Sequence, residues 1–458
     1  MPVALFSRKP NMKCLDYRTA DFETQLAALE QSSLFDPAIE SRTRDIVEAV
    51  HQRGDDALLE VTARFDGWSP ASAADFRVTG AEWRDAEKSV SVEFKRAAKF
   101  ALRNIEFFNR RGLRRGWTAR NPQGARVGEK FDPLRRVGIY VPGGTAPLVS
   151  TSLMTVALAR IAGCPERVVC TPAGKDGRVN PALLFGLKLS GATEVYKLGG
   201  SQAVAAMAFG TPTVRRVAKV FGPGNAYVVA AKRLLFGHVG VDLLPGPSEL
   251  LVMADDSANP QLVAADLLAQ AEHGSGHERV FLVTTSEKLV AAVEAAVAQQ
   301  LAALSRREFI EKALAAGAVA VVVRSLTQAA DIANRIAPEH LELQCRGARK
   351  LLSKLTTAGA IFVGPFSPTV AGDFVAGPSH ELPTGGAGRI FAGLTVDQFQ
   401  RRTSVVEYNA AALRKSVAAI GEFAKAEGLD AHGRSATIRF EQRNSTQSRE
   451  GRKGTRRK

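Results

Sequence analysis

The 458-residue sequence has few cysteines and lacks a continuous apolar segment of the about 20 residues that cross a bilayer as a helix. Its four cysteines, Cys14, Cys164, Cys170 and Cys345, have no CxxC spacing, so they fit neither a disulfide framework nor a thiolate zinc site. The first residues, MPVALFSRKPNMK, lack the apolar core and cleavage site of a secretory signal. We therefore expect a soluble, cytoplasmic protein in a reducing compartment.

The sequence also lacks the G-x-G-x-x-G motif that follows the first strand of many dinucleotide-binding folds. Its nearest glycine cluster, GPGN at residues 222–225, has a different spacing. Gly143-Gly144, Gly199-Gly200 and the GPGN segment would each let the backbone approach a phosphate, although tight turns explain these glycines equally well. A dinucleotide site in this chain would therefore not follow the common motif.

Basic residues outnumber acidic ones by 61 to 46, which gives a net charge of +15. Much of the excess lies in a tail at residues 443–458 and in a cluster around Trp117 that contains Arg110, Arg111, Arg114, Arg115, Arg120 and Arg126. The tail has no apolar periodicity, so we expect it to be disordered. Since no recognised nucleic-acid module accompanies either segment, we favour a solvated basic surface over nucleic-acid binding.

From about Val137 onward the sequence alternates short β-branched runs, Gly or Pro turns and Ala- and Leu-rich stretches, a pattern typical of α/β proteins. The runs are VGIYV, RVVC, EVYKL, VAKVF, ELLVMA, RVFLV, AVAVVV and AIFVG. Such apolar strands predict parallel sheets covered on both faces, with ligands at the carboxyl ends of the strands. A chain of this length predicts at least two domains.

Helical periodicity dominates the sequence before Val137, with apolar residues at Ile39, Ile46, Val47, Val50 and Leu58. After Gly393 a second helical stretch leads to a short run, ATIRF, that reads as a strand. These segments predict a helical entry to the first domain and a compact carboxyl-terminal module.

The segment QAEH, residues 270–273, ends a helical stretch that begins at Asn259-Pro260 and stops at Gly274. Because residues three apart share a helix face, Gln270 and His273 can point at one centre. Histidine is a common zinc ligand, whereas a glutamine carbonyl is an unusual one. Taken alone, the pair fits a histidine at a helix end better than a metal site.

Pro338, Glu339 and His340 form a second candidate site. The proline ends the preceding helix, so an acidic and a basic side chain lie next to each other at a fixed turn. Histidine suits a base near neutral pH, and a carboxylate can activate water. Taken alone, a Glu-His pair is more often a surface or structural feature.

Two further pairs are candidates for chemistry. Asp373 and His380 lie in the loop GDFVAGPSH after the AIFVG run, where Asp373 either ligates a cation or forms an Asx turn. Glu427 and His432 lie near the carboxyl terminus and, taken alone, fit an ordinary solvated pair.

In this order and spacing, the segments YVPGG, GGSQAVAAMAFGT, FGPGNAYV, GPSE, AQAEHG, APEHLEL and GDFVAGPSH resemble the histidinol dehydrogenase family. The resemblance extends from roughly residue 35 to residue 440. It implies two incomplete Rossmann-like α/β domains with parallel sheets, plus a small carboxyl-terminal module. It also implies a zinc- and NAD-dependent enzyme that oxidises L-histidinol to L-histidine through an aldehyde, at the end of histidine biosynthesis.

The resemblance assigns roles to individual positions. The zinc ligands would be Gln270, His273, Asp373 and His432. Glu339 and His340 would be the acid–base pair, and Tyr140, Gln202 and Asn225 the NAD contacts. Ser248, His340 and Glu427 would contact the substrate together with the metal ligands. Because family members resemble intertwined homodimers, Glu427 and His432 are expected to act in the neighbouring subunit's site.

The resulting domain prediction has five parts. These are an N-terminal segment at 1–34, a metal- and substrate-binding domain formed by 35–136 and 248–394, an NAD-binding domain at 137–247, a carboxyl-terminal module at 395–440 that serves the partner subunit, and a basic disordered tail at 441–458.

Two alternatives stay open on the sequence. A family relative could oxidise another small alcohol, such as a sulfonated propanediol. Glu427 argues against this, because a carboxylate suits a cationic amine or imidazole whereas a sulfonate favours a neutral or basic side chain. The alternative from another class is a basic nucleic-acid-binding protein, which would need no zinc.

Overall fold

The computed structural model describes residues 12–30, 36–143 and 147–450, with side chains described up to residue 441. The strands in chain order are β1 (Lys13–Asp16), β2 (Trp117–Arg120), β3 (Arg126–Pro133), β4 (Arg136–Tyr140), β5 (Glu166–Thr171), β6 (Glu194–Lys197), β7 (Lys219–Phe221), β8 (Gly240–Val241), β9 (Glu249–Ala254), β10 (Arg279–Thr284), β11 (Ala318–Val322), β12 (His340–Gln344), β13 (Ala360–Val363) and β14 (Gln400–Glu407).

The helices in chain order are α1 (Phe22–Glu30), α2 (Pro37–Arg53), α3 (Asp55–Phe65), α4 (Gly80–Ser89), α5 (Val92–Asn109), α6 (Val149–Ile161), α7 (Pro181–Ser190), α8 (Gly200–Phe209), α9 (Ala226–Leu235), α10 (Pro260–Ala271), α11 (Glu287–Leu301), α12 (Arg307–Gly317), α13 (Leu326–Ile336), α14 (Thr369–Phe374), α15 (Ala410–Arg414), α16 (Val417–Ala426) and α17 (Asp430–Glu450). Many begin after an Asn, Asp or Ser whose side chain accepts a hydrogen bond from the first turn, as Asn180 does for α7.

A five-stranded parallel sheet has the strand order β6-β5-β4-β7-β8. Numbered along the chain, this is the 3-2-1-4-5 order of a Rossmann fold that lacks its sixth strand. The order reverses between β4 and β7, and open α/β sheets bind ligands at the carboxyl ends of the strands that flank such a reversal. The sheet thus predicts a crevice near Tyr140 and Gly222.

A six-stranded parallel sheet has the order β1-β11-β10-β9-β12-β13. From β9 to β13 it repeats the 3-2-1-4-5 order, and β1 adds an edge strand beside β11. All six residues of β9 and all five of β12 are buried, as expected for central strands with helices on both faces. The two sheets confirm the predicted α/β fold with Rossmann-like parallel sheets.

The helices before β4 pack on the five-stranded sheet. Val50 and Leu58 join the core cluster around Tyr196 of the five-stranded sheet, and Ile105 packs with Met154 in a second core cluster of that sheet. The sequence analysis grouped residues 35–136 with 248–394, and this domain division stays a prediction. Periodicity identifies the apolar face of a helix but not the sheet that receives it, which depends on distant residues.

A second compact unit consists of residues 114–132 and 400 onward. It contains a three-stranded sheet, β14-β3-β2, in which β2 and β3 are antiparallel and flank the turn at Asn121–Gly124. The sequence predicted helix before Val137, although Asn121-Pro122-Gln123-Gly124 is a turn signal between two short runs.

The carboxyl-terminal end also differs from the prediction. ATIRF was expected to be a strand and residues from 441 to be disordered, but α17 runs through both as far as Glu450. The segment has no proline and is rich in Arg, Gln, Glu and Ala, which favour helix over strand when no sheet edge is available. Residues 451–458 lie outside the described residues. In the part of the chain that the structure describes, no helix is long and apolar enough to span a membrane.

Candidate active site

The predicted acid–base pair lies at the amino ends of two neighbouring central strands. Glu339 and His340 open β12, and Ser248 precedes Glu249 at the start of β9. The Glu249 backbone N–H donates to Glu339 Oε2 at 2.9 Å, and the His340 Nδ1 atom lies 3.1 Å from the Glu249 carbonyl oxygen. One peptide segment thus fixes both side chains, and Ser248 is half-buried beside them.

The turn before the pair is held in an unusual conformation. Ala337 has φ of 51°, and within the described ranges it is the only non-glycine residue with positive φ. It ends α13, and Pro338 then prevents the helix from continuing. Left-handed backbone at a non-glycine residue costs energy and persists where the surroundings hold it, often at functional sites. The backbone conformation of Ala337 fixes the direction in which Glu339 and His340 leave the turn.

Three histidines are oriented in the same way. The Nδ1 atoms of His273, His340 and His380 lie 3.0, 3.1 and 3.1 Å from the carbonyl oxygens of Gln270, Glu249 and Asp373, respectively. Since a carbonyl oxygen only accepts, each Nδ1 carries the proton and each Nε2 keeps its lone pair. This arrangement is typical of metal-binding and catalytic histidines.

The Nε2 atoms of these histidines differ in what they meet. His380 Nε2 accepts from the Thr151 hydroxyl at 2.9 Å, so its lone pair is engaged. His340 Nε2 lies 3.7 Å from Asp373 Oδ1, longer than a hydrogen bond. The lone pair of His340 is therefore available to a substrate.

The predicted metal donors converge near this point. Gln270 and His273 stand at the end of α10, and His273 is close enough to Asp373, His340 and His380 to influence their pKa values. The Gln270 side chain is 2% exposed, and its Oε1 atom has no hydrogen-bond partner among the described residues. A buried oxygen without a partner is costly, and a cation is one ligand that would satisfy it.

The donor set fits a metal that binds nitrogen and oxygen. Within the described ranges, no three His, Cys, Asp or Glu side chains form a metal-binding group. Gln270 Oε1, His273 Nε2 and an Asp373 oxygen instead supply a mixed set, for which zinc is suited. A zinc ion held by these three donors would take a fourth ligand.

Burial controls the charges of these groups. It raises the pKa of the Glu339 carboxyl well above its usual value, and the Glu249 N–H opposes this. Burial lowers the pKa of His340 to about 3, so the imidazole is neutral. For Asp373, burial raises the pKa to about 6 and His273 opposes the rise. The site holds a neutral base and acids with high proton affinity.

A pair of acids, the buried Glu342 and the half-buried Asp266, escaped the sequence analysis. Glu342 accepts from the Thr369 N–H and hydroxyl at 2.7 and 2.6 Å, and Asp266 shares a hydrogen bond with Glu342. Burial, followed by the Glu342 charge, raises the pKa of Asp266 to about 8. The spacing held a signal: Asp266 is one helical turn before Gln270, and Glu342 shares a strand face with His340.

Glu381 was also missed. It is 6% exposed, its Oε1 atom has no hydrogen-bond partner in the described part of the chain, and burial raises its pKa to about 8. This oxygen lies 3.6 Å from His380 Nε2. Its neighbour His380 was singled out from the sequence, but nothing in the pattern indicated that the adjacent glutamate is buried.

The predicted NAD contacts gather at the carboxyl ends of the five-stranded sheet. The Tyr140 hydroxyl accepts from the Gly200 N–H at 3.1 Å, and a Cβ on Gly200 would lie 2.5 Å from Gln202 Oε1. Asn225 caps α9, and a Cβ on Gly222 would come within 2.1 Å of the Tyr140 carbonyl oxygen. The structure brings all three residues to the reversal of strand order. Gly144 lies outside the described residues.

Glu427 and His432 belong to the second compact unit. Glu427 follows α16, His432 lies in the first turn of α17, and both side chains are exposed.

Two Rossmann-like sheets, one with polar groups at its strand-order reversal and one with a buried acid–base pair beside metal donors, define an α/β oxidoreductase. Known proteins narrow this class. A histidinol dehydrogenase profile matches residues 29–440, and the chain belongs to the histidinol dehydrogenase family. The predicted family membership is thereby confirmed.

Individual relatives match most of the chain. The histidinol dehydrogenase of Heliobacterium mobile is 44% identical over 413 residues, which cover 90% of this chain and 96% of that protein. That of Xylella fastidiosa (strain 9a5c) is 44% identical over 439 residues, covering 94% and 99%. The crystal structure of histidinol dehydrogenase from Elizabethkingia anophelis is 34% identical, with a TM-score of 0.90, and covers 96% of this chain and all of that one.

Proposed function

We propose that this chain oxidises L-histidinol to L-histidine through the aldehyde, with zinc bound and two NAD consumed, as the last oxidation of histidine biosynthesis. The observation that carries the proposal is the neutral His340, whose Nε2 lone pair faces the metal donors while Glu339 lies beside it. The names of the relatives support the substrate, and the alternatives gain no support from them.

The first oxidation needs a base at the alcohol. His340 Nε2 accepts the hydroxyl proton, and the Nδ1–H bond to the Glu249 carbonyl keeps the ring in the required tautomer. When bound, zinc polarises the reacting centre as a Lewis acid and NAD takes up the hydride. Asp373 Oδ1 lies 3.7 Å from His340 Nε2, close enough to contact the same substrate.

The second oxidation needs water to add to the aldehyde. Glu339 is 6% exposed, and burial raises its pKa, so its carboxylate has a high proton affinity. It removes a proton from the attacking water, and the Glu249 N–H holds the carboxylate in place at 2.9 Å. The hydrated aldehyde would then give its carbon-bound hydrogen as a hydride to a second NAD, and His340, once it has released its first proton, accepts the hydroxyl proton.

We further propose a homodimer in which the partner's His432 completes the zinc ligands and the partner's Glu427 binds the cationic substrate. Both residues are exposed within their own unit, and the Gln270, His273 and Asp373 set lacks a fourth donor.

The cofactor assignments follow the two sheets. Residues 137–247 would bind NAD through Tyr140, Gln202 and Asn225, and residues 248–394 would bind metal and substrate. A nitrogen and oxygen donor set also accepts manganese or cobalt, so zinc is the proposed metal on the basis of the family. All four cysteines are free, in keeping with a cytoplasmic location.

The experiment that tests the proposal counts NADH formed by the purified, zinc-loaded protein from limiting L-histidinol. A sulfonated propanediol is the competing substrate, and a chelator followed by added zinc is the metal control. Two NADH per histidinol, lost on chelation and restored by zinc, would support the proposal. Turnover of the sulfonate alone would instead assign the chain to a different alcohol.

A further inference from the structure

Asp66 is a half-buried acid with no role in the proposed reaction. It ends α3, and a Cβ placed on Gly199 would lie 3.2 and 3.3 Å from its two carboxylate oxygens. The Gly199 N–H donates to this carboxylate, and Gln202 Nε2 lies 3.4 Å from it. Burial raises the pKa of Asp66, the Gly199 N–H opposes this, and in the described residues no Lys or Arg pairs with it.

A buried hydroxyl without a partner lies next to the same glycines. Thr171 ends β5, its side chain is 0% exposed, and its Oγ1 atom has no hydrogen-bond partner among the described residues. A Cβ on Gly143 would lie 3.1 Å from this oxygen, and one on Gly199 would lie 3.0 Å from the Pro172 side chain. The neighbouring glycines thus leave space beside the Asp66 carboxylate and the Thr171 hydroxyl, and both groups can accept further hydrogen bonds.

The position of Asp66 in the fold indicates which half of a bound dinucleotide it would contact. Gly199 follows β6, and Thr171 follows β5, on one side of the strand-order reversal, whereas Gly222 and Asn225 follow β7 on the other side. In Rossmann-like sheets the adenosine half lies over the first strands and an acidic residue there binds the ribose. In most such folds this acid follows the second strand, but here it comes from a helix that precedes the sheet.

We infer that Asp66 binds the adenosine ribose diol of NAD and makes the site select NAD over NADP. The inference rests on the proposed function. A carboxylate accepts hydrogen bonds from two vicinal hydroxyls, whereas a 2′-phosphate would bring like charge against it. Because Asp66 already occupies the amino end of α8, that helix end is not free for the pyrophosphate.

The test is equilibrium binding of NADH and NADPH to the full-length, zinc-loaded protein, followed by nicotinamide fluorescence. Asp66→Asn keeps an oxygen for the Gly199 N–H and removes the charge. It should weaken NADH binding by about 10- to 100-fold, as expected for a lost charge-assisted hydrogen bond, and narrow the preference over NADPH by a similar factor. The matched control is Asp56→Asn, an exposed acid on the same helix, which should change neither affinity.

A second measurement needs no variant. NAD that lacks the adenosine 2′-hydroxyl should bind the unmodified protein about tenfold more weakly than NAD, since the carboxylate loses one of its two ribose hydroxyl donors. NADH binding that is equal for the unmodified protein and Asp66→Asn, or equal binding of the deoxy analogue, would leave Asp66 as a cap of α8 and overturn the inference. If the unmodified protein binds neither NADH nor NADPH, the proposed function fails as well.

Discussion

The five-stranded and six-stranded sheets follow the same strand order, yet they place their polar residues at opposite ends. In the five-stranded sheet, Tyr140, Gln202 and Asn225 lie at the carboxyl ends, as the topology predicts. In the six-stranded sheet, Glu339 and His340 lie at the amino ends, and α10 returns Gln270 to the same edge.

Contacts between loops explain why the candidate site of the six-stranded sheet does not lie at the carboxyl ends of its strands. At its carboxyl-end reversal, Asp255 accepts from the Arg346 N–H at 3.0 Å, and Arg346 also pairs with Asp256. These bonds join the loops after β9 and β12 across the place where a ligand would enter. Strand order therefore indicates where a crevice can form, and the loop residues decide whether it does.

The largest expected effect is loss of the base at the amino end of the six-stranded sheet. His340→Asn keeps an N–H for the Glu249 carbonyl but removes the Nε2 lone pair, so the first oxidation should fall by about 10²- to 10⁴-fold. Single-turnover NADH formation measures it, with exposed His277→Asn as the control. Bound zinc should stay at the unmodified level, and zinc loss in the variant would show that His340 is a ligand instead.

Removing the neighbouring acid should separate the two oxidations. Glu339→Gln keeps an oxygen for the Glu249 N–H but cannot take a proton from water, so the second step should slow by about 10²-fold. The first turnover should then yield about one NADH per histidinol, with aldehyde that semicarbazide traps. Glu308→Gln, an exposed acid on α12, serves as the control. An equal loss in both steps would contradict separate roles for the two residues.

Removing one oxygen atom from the proposed metal ligands at this edge should weaken zinc binding. Gln270→Leu should weaken zinc binding by at least about 10- to 100-fold, the loss that even outer partners of a metal site cause. Competition with a chromogenic chelator measures the affinity, and Gln261→Leu on the exposed face of the same helix is the control. Unchanged zinc affinity in Gln270→Leu would exclude its Oε1 atom as a ligand.

The amino end of the five-stranded sheet should matter for stability and not for turnover. Arg136 pairs there with Glu166 and Glu194 at 2.6 Å each, and its hydrogen bond lowers the pKa of Glu194 to about 2. A depressed carboxyl pKa contributes stability above the unfolded value of about 4.3, and this is lost as pH falls toward about 2. Glu194→Gln should therefore lower the melting temperature at pH 7, and the difference should shrink between about pH 5 and pH 2.

Exposed Glu87, paired with Lys188, provides the comparison for that measurement. Glu87→Gln should shift the melting temperature less at every pH, because solvent screens an exposed pair. A Glu194→Gln difference that grows as pH falls would contradict the assignment.

The smallest effect is expected at the closed end of the six-stranded sheet. The Arg346 side chain is 66% exposed, so its ion pairs contribute little. Arg346→Ala should leave kcat and KM for histidinol within about twofold of the unmodified protein. A large loss of activity would show that chemistry also occurs at the carboxyl ends of this sheet.

The sequence predicted eight strands of the two parallel sheets and residues at their ends, because apolar runs and Gly or Pro turns are local signals. It placed Gln270 and His273 on one helix face and Glu339 beside His340, and the structure shows both arrangements. The edge that these residues share depends on the direction of α10 and on the loops after β9 and β12, which no local pattern specifies.

Burial was the main property that the sequence analysis missed. Asp66, Asp266 and Glu381 are acids in unremarkable local contexts, and their environments are created by elements distant in the chain. The helices of residues 37–109 pack on the five-stranded sheet, which could not be predicted for the same reason, since the apolar face of a helix does not specify the element it contacts.

The most direct test of the account is the position of the metal in crystals of the zinc-loaded protein, located by anomalous scattering at the zinc edge. We predict a peak at the amino ends of β9 and β12, about 2.0 to 2.2 Å from Gln270 Oε1 and His273 Nε2. A metal bound elsewhere, with Gln270 and His273 unoccupied in crystals of active enzyme, would contradict it.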